Sequence, residues 1–273
     1  MGSVTSGQSG LACGAARRLK GSWRPRRGLA QKGDVLPKSR RGDDPLVIPR
    51  LPVWRFEGTE GRFYVIDGVS YPSTTTVLSV LMRPGLASWA RRTIIETVRE
   101  LVASGADIEE ALQLAESEPE RQRDIAAQKG SQVHGAIALA LEGKPYPPEW
   151  EAWVRAALSF LADYGLRLVA AEQVLVSKRH GFAGTCDLIT CGADGVLTLV
   201  DWKTGGIWPE AALQLGAYAI ALEEMTGRPV GEAYVVGLRE KGYGEKRVFL
   251  PQAREGFLAC LTLWRALQGG LYE

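Results

Sequence analysis

"GFAGTCDLITCGADGVLTLVDWKTG", residues 181–205, is the stretch on which the reading of this chain turns. Two β-type runs, "FAGTCDLITC" and "VLTLVDWK", flank the turn residues Gly192-Ala193-Asp194-Gly195, the pattern of a strand–turn–strand hairpin. Side chains alternate across a strand, so Asp201 and Lys203 share a face and Trp202 points the other way. If the two runs pair, Asp187 comes to lie beside Asp201 and Lys203. Two carboxylates and one ammonium then occupy one pocket. Hard divalent cations such as Mg²⁺ take carboxylate, carbonyl and water oxygens. A metal on two carboxylates can polarise a phosphoryl oxygen and lower the pKa of a bound water. Lys203 can orient that water, help to deprotonate it, or neutralise charge in the transition state. The plain alternative is a strand-end ion pair, which contributes little to stability.

Outward from this stretch, "LVAAEQVLVS" is a third β-type run, and Arg179-His180-Gly181 is the turn after it, with His180 a turn residue. Helical patterns follow at about 210–225 and 252–268, with a strand at about 232–238 and a short strand in "EKRVFL". Upstream, "VWRFEG" and "GRFYVIDG" form a small hairpin, and "YPSTTTVLSVL" begins a short helix capped by Ser73 or Thr74. Arg83-Pro84-Gly85 breaks it. "ASWARRTIIETVRELVAS" is an amphipathic helix with Trp89, Ile94, Val98, Leu101 and Val102 on one side. Further helices cover 107–117, Glu120 to Glu142 with Gly143 closing it, and 149–164. The order of elements gives a mixed α/β (α+β) core with a helical N-terminal lobe.

Composition fits a globular protein: 45% hydrophobic and 23% charged residues. The apolar runs are too short for a membrane span. Cys13, Cys186, Cys191 and Cys260 are scattered and contain no CxxC pair, which points to a reducing compartment and away from a disulfide framework or a four-cysteine metal site. Charge is uneven. Residues 1–50 hold eleven Lys or Arg and three Asp, and the remaining residues hold 22 basic and 28 acidic side chains. Residues 1–45 are expected to be a disordered basic tail. Three readings compete for it: an arm attracted to nucleic acid phosphates, a mitochondrial-type presequence, or a solvated extension. "MGSVTS" also fits a myristoylation pattern. Domains are expected at 1–45, at 46–145 for the hairpin and helical lobe, and at 146–273 for the core.

An Asp followed after a hairpin by Asp-X-Lys resembles the PD-(D/E)XK nuclease superfamily; Cys186 stands where a proline is usual. "GFAGTCDLI…GVLTLVDWKTG" looks like its RecB-like branch. Upstream "KGSQVHGAI" is similar to that branch's Gly-X-X-X-His helix motif, and downstream "QLGAY" to its Gln-X-X-X-Tyr signature. "YPSTTTVLSVL" with "LASWA" looks like the N-terminal lobe of phage-type and mitochondrial genome maintenance exonucleases. The resemblance covers about 70 to 270. It implies a restriction-endonuclease-like core, a central mixed β-sheet flanked by helices. It also implies a metal-dependent DNA exonuclease with a preference for single-stranded ends.

The site residues the resemblance implies are Asp187, Asp201 and Lys203, with Glu172 at an acidic position whose role varies. Mg²⁺ or Mn²⁺ would be held by His134, Asp187, Asp201 and the Trp202 carbonyl. Gln214 and Tyr218, spaced i, i+4 on one helix face, would contact the DNA backbone. Lys178, Arg179, Arg91 and Arg92 are candidates for phosphate contacts, against the default of solvated charges. Trp89 and Trp202 could stack on bases, with core packing the simpler reading. His134 is also readable as a satisfied core histidine, and Gln214 and Tyr218 as packing residues with a polar handle. No iron–sulfur cluster is expected, because Cys260 stands without the cysteine cluster that some relatives carry after the core. The competing functions are a structure-specific or restriction-like endonuclease and a non-catalytic nucleic-acid-binding module. The expected setting is the bacterial or phage cytoplasm, or the mitochondrion if the tail is a presequence.

Overall fold

A computed structural model describes residues 46, 48–82 and 84–269. The expectations for the tail at 1–45, Cys13 included, lie outside the described residues. The hairpin signal of the opening stretch is realised as β5 (Phe182–Cys191) and β6 (Leu197–Lys203), paired antiparallel. β4 (Arg167–Ser177) pairs antiparallel with β5 on its other side. Between β6 and β7 (Val230–Arg239) the chain makes a helix, α6 (Pro209–Thr226), and the two strands pair in parallel. That is the connection a parallel pair requires. β8 (Gly242–Arg247) closes the sheet by antiparallel pairing with β7, giving the order β4-β5-β6-β7-β8.

Helices cover both faces of this mixed sheet. On one side α6 and α7 (Leu250–Gln268) bury Leu215, Ala219, Leu222 and Phe257 against Leu197, Leu199, Ala233 and Val235. On the other, α4 (Glu118–Leu141) and α5 (Glu151–Asp163) bury Val133, Ile137, Phe160 and Leu161 against Leu188, Val200, Trp202 and Val236. Alternate residues of β6 and β7 thus feed opposite cores, which is why both strands read as continuous apolar runs. Each fully buried Leu, Ile or Phe side chain here contributes ~1.5–3 kcal/mol. The architecture is the restriction-endonuclease-like one that the resemblance implies.

The N-terminal segment departs from the simple hairpin. β1 (Val53–Gly58), β2 (Gly61–Ile66) and β3 (Val69–Pro72) form a three-stranded antiparallel sheet, so "VSYP" is a strand before the helix begins. Ser73 caps the short α1 (Thr74–Val77) by accepting the Thr76 N–H at 3.0 Å. The buried face of this sheet, Tyr64, Ile66 and Tyr71, packs on Val176 and Ala183 of the β4–β5 hairpin. α2 (Pro84–Ala103) and α3 (Ile108–Glu116) follow, and α2 buries only Thr93 fully. Its predicted apolar side is half covered. "EKRVFL" is a strand only as far as Arg247. Val248 adds one more backbone bond, to the Ala233 carbonyl, before the proline in the first turn of α7 starts the helix at Leu250. No helix among the described residues is long and apolar enough to cross a membrane.

Candidate active site

Ladder bonding between β5 and β6 ends at Leu188 and Val200. Beyond that point the strands part, and Asp187 and Asp201 stand at the mouth of the gap. Asp187 Oδ2 closes it by accepting the backbone N–H of Trp202 at 2.8 Å. Glu172 faces Asp187 from β4, because its neighbours Ala171 and Gln173 pair with Leu188 and Cys186. Glu172 has φ 48, a left-handed conformation that costs a non-glycine residue energy. The alternation of both strands slips at this point. Ala170 and Leu175, five residues apart, share the α6–α7 core, and so do Cys186 and Ile189, three apart. A regular strand would send each pair to opposite faces. The slip turns the two carboxylates toward α4.

From α4, His134 Nδ1 reaches to 3.4 Å of Asp187 Oδ2. The ligand atoms of His134, Glu172 and Asp187 all lie within 4.8 Å of one another. Gly130, one helical turn before His134, faces Thr204, whose Oγ1 would be in ordinary contact, 3.5 Å, with a Cβ there. On the β6 side Asp201, 1% exposed, forms an ion pair with Lys203 at 2.6 Å. Among the described residues the Lys203 ammonium is the one partner of Asp201 Oδ2. A pocket in which three carboxylates face one ammonium suits a cation.

The titration of these groups reflects crowding. Burial pushes the Asp201 carboxyl up to about 6, with Lys203 opposing and Asp187 assisting. Glu172 is pushed up to about 7, first by desolvation and then by the Asp187 charge. Glu172 is itself an exposed residue, so water screens part of this effect. Burial works against the charged form of His134, but the Asp187 carboxylate, its hydrogen bond and Glu172 together raise it. Burial likewise opposes the Lys203 ammonium, and Asp201 and Asp187 overcome it, so Lys203 stays a cation. Asp187 itself is held low: desolvation is outweighed by His134, Lys203 and the Trp202 N–H.

The remaining predicted residues divide by position. Trp202 is 2% exposed and meets Phe160 edge-on, so its side chain is a core ring and only its backbone faces the site. Gln214 Nε2 donates to the Tyr218 hydroxyl at 2.7 Å, and Thr74 donates to the same oxygen at 3.3 Å. Tyr218 is buried, with its ring over Gly184: a Cβ there would fall 2.7 Å from Tyr218 Cε1 and 2.9 Å from Thr74 Oγ1. The Gly-X-X-Asp spacing therefore has a packing cause. Lys178 and Arg179 sit in the β4–β5 turn, roughly 20 Å along the strand from Glu172. There Lys178 pairs with Asp67 at 2.8 Å and the Arg179 N–H donates to Glu224. Sequence spacing does not mark Thr74, or Arg55, whose charge reaches Glu172 from β1.

A five-stranded mixed sheet between helical layers, with Asp187, Asp201 and Lys203 at the splayed strands, defines a metal-dependent nuclease class. Residues 95–267 match the family model of the PD-(D/E)XK nuclease superfamily, and the chain belongs to that superfamily. Its members are nucleases that use divalent metal ions on nucleic acid. No curated protein matches the chain.

Proposed function

We propose that the chain is a metal-dependent DNA exonuclease of the RecB-like branch, hydrolysing phosphodiester bonds at single-stranded ends during DNA replication, repair or recombination. The observation that carries the metal-dependent chemistry is the convergence of His134, Glu172 and Asp187 within 4.8 Å, beside the buried Asp201–Lys203 pair. The exonuclease assignment rests on the similarity of "YPSTTTVLSVL" and "LASWA" to phage-type and mitochondrial genome maintenance exonucleases.

In this reading His134, Asp187, Asp201 and the Trp202 carbonyl would hold Mg²⁺ or Mn²⁺, which would supply Lewis-acid polarisation of a phosphoryl oxygen and a lowered pKa for the attacking water. Glu172 takes up the proton of that water at its carboxylate. Lys203 stays an ammonium and offsets the negative charge that grows on the phosphoryl oxygens. Gln214 keeps its carbonyl oxygen free for the strand, and Tyr218 braces it. Lys178 pairs with Asp67 only in solvent, where such a pair is weak, so it and Arg179 remain available to phosphates far from the cut.

The test is single-stranded DNA labelled at the 5′ or 3′ end, incubated with Mg²⁺ or Mn²⁺, beside EDTA and a Lys203→Ala control. Progressive loss from one end, abolished in both controls, is expected. Cutting of a closed circle would replace the exonuclease by an endonuclease. Equal digestion of duplex ends would remove the single-strand preference. Binding without cleavage in any divalent metal would leave a non-catalytic module.

A further inference from the structure

The loop from Lys203 to α6 ends in a residue that the local backbone does not explain. Trp208 is the N-cap of α6, a position where Ser, Thr, Asp or Asn would satisfy a free N–H, and its side chain makes no capping bond. It is 59% exposed, an unusual placement for the largest apolar side chain. The ring is nevertheless seated. Its Nε1, Cε2 and Cζ2 atoms lie 3.0, 3.2 and 3.4 Å from where a Cβ on Gly206 would stand. Its far edge lies 3.7 Å from the same point on Gly85, at the start of α2. Any side chain at 206 would displace it. The preceding residue, Ile207, anchors the loop by packing over Gly237. The indole therefore rests on a glycine floor with its remaining surface open to solvent. It is five residues past Lys203, so at most about 18 Å of chain separates them.

We propose that Trp208 is a base-stacking platform for single-stranded nucleic acid, holding the nucleobase of a nucleotide near the scissile phosphate. The inference rests on the single-strand nuclease reading and adds to it the group that grips the strand. A flat, exposed ring on the loop that leaves Lys203 suits stacking, which accepts every base because each has a π-face. An enzyme that shortens strands of mixed sequence needs that tolerance. Duplex DNA keeps its bases stacked on one another and gains nothing from the platform.

The experiment measures binding of a short fluorescein-labelled oligothymidylate with Mg²⁺ present, in a Lys203→Ala background that preserves the strand. An abasic strand of equal length serves as the comparison. Trp208→Ala and Trp208→Leu are expected to lose roughly 5- to 100-fold in affinity for oligothymidylate, and Trp208→Phe to lose less than threefold. Preference for the strand with bases over the abasic strand should vanish in the Ala and Leu variants, which a packing role would not produce. With an unlabelled strand in the same Lys203→Ala background, binding should quench tryptophan emission, and adding Trp208→Phe should remove most of that quenching. If the Leu variant matches wild type, or the preference for bases survives it, Trp208 is a packing residue only. If the wild type cleaves labelled single strands while Trp208 proves neutral, the nuclease reading stands and the platform falls. If the wild type neither binds nor cleaves single strands, both fall.

Discussion

Asp201 carries two opposite demands. Burial pushes its carboxyl up to about 6, yet a carboxylate that is to hold a metal must be ionised. Metal uptake at acid pH would therefore expel protons from Asp201 and from His134, whose imidazole is also raised, and uptake at higher pH would expel fewer. We expect Mn²⁺ affinity to rise with pH through this range. Calorimetry in two buffers of different ionisation enthalpy should show more than one proton released near pH 5.5, from Asp201 and His134 together, and fewer at pH 7.5. Release that does not vary with pH would remove both from the ligand set. Gly184 gives a second prediction. Gly184→Ala drives a methyl to 2.7 Å from the Tyr218 ring, and the displacement should cost about 1–3 kcal/mol in urea unfolding. The alternation of residues across a strand is enough to place Asp201 and Lys203 together, and the two β runs are enough to bring in Asp187. The burial of Tyr218 is not legible in this way. "QLGAY" shows two polar residues on one helix face, and only the ring's position over Gly184 reveals which of them is enclosed.

Among the elements, the β4–β5 hairpin does the positioning. Its turn end packs against the small N-terminal sheet and its open end belongs to the central sheet, and the slip at Glu172 and Asp187 separates the two. Nothing in "LVAAEQVLVS" announces the slip, because Glu does not favour a left-handed backbone and the run alternates well enough to pass as a regular strand. The parallel β6–β7 pair is legible, since a helix between two strands implies it. The end of β8 is not: Val248 and Leu250 read as strand residues, but they serve the core at the entry to α7. The strained φ at Glu172 yields a prediction with two signs. Asn tolerates that conformation better than Glu, so Glu172→Asn should keep or raise stability by up to about 1 kcal/mol. The same change removes the proposed proton acceptor and should lower turnover roughly 100-fold or more. Thermal melts and initial rates on one preparation decide it. A variant that is both less stable and fully active would contradict both halves.

For the molecule as a whole, three ties fasten the N-terminal segment to β5 and α6. They are the Tyr64–Thr185 hydroxyl pair at 2.9 Å, the bridge of Ser73 to Ala183, and the Thr74–Tyr218 bond. The sequence marks the hairpin and the short helix but not their docking, which depends on hydroxyls that could equally have faced water. Global stability should register the metal, because a ligand that binds only the folded state stabilises it. At about 100 times the dissociation constant the gain is ~2.7 kcal/mol, or roughly 5–10 °C in a chain of this size. The sign with pH follows from Asp201 and Glu172, both raised above their ordinary values. Without metal, their contribution is complete below the unfolded carboxyl range and is lost as pH rises through about 6 and about 7. The melting shift caused by Mn²⁺ should thus be larger at pH 7.5 than at pH 5.5, and EDTA should abolish it. An equal shift at both values would place the bound ion elsewhere.

The bond from the Trp202 N–H to Asp187 comes from the main chain, and this changes which mutations the site can survive. The aim of Asp187 does not depend on which side chain stands at 202. Any residue that fills the space beside Phe160 leaves the donor in place, and proline alone deletes it. Position 202 is thereby released to drift among bulky residues under selection for packing, while the orientation of the Asp187 carboxylate is inherited with the backbone itself.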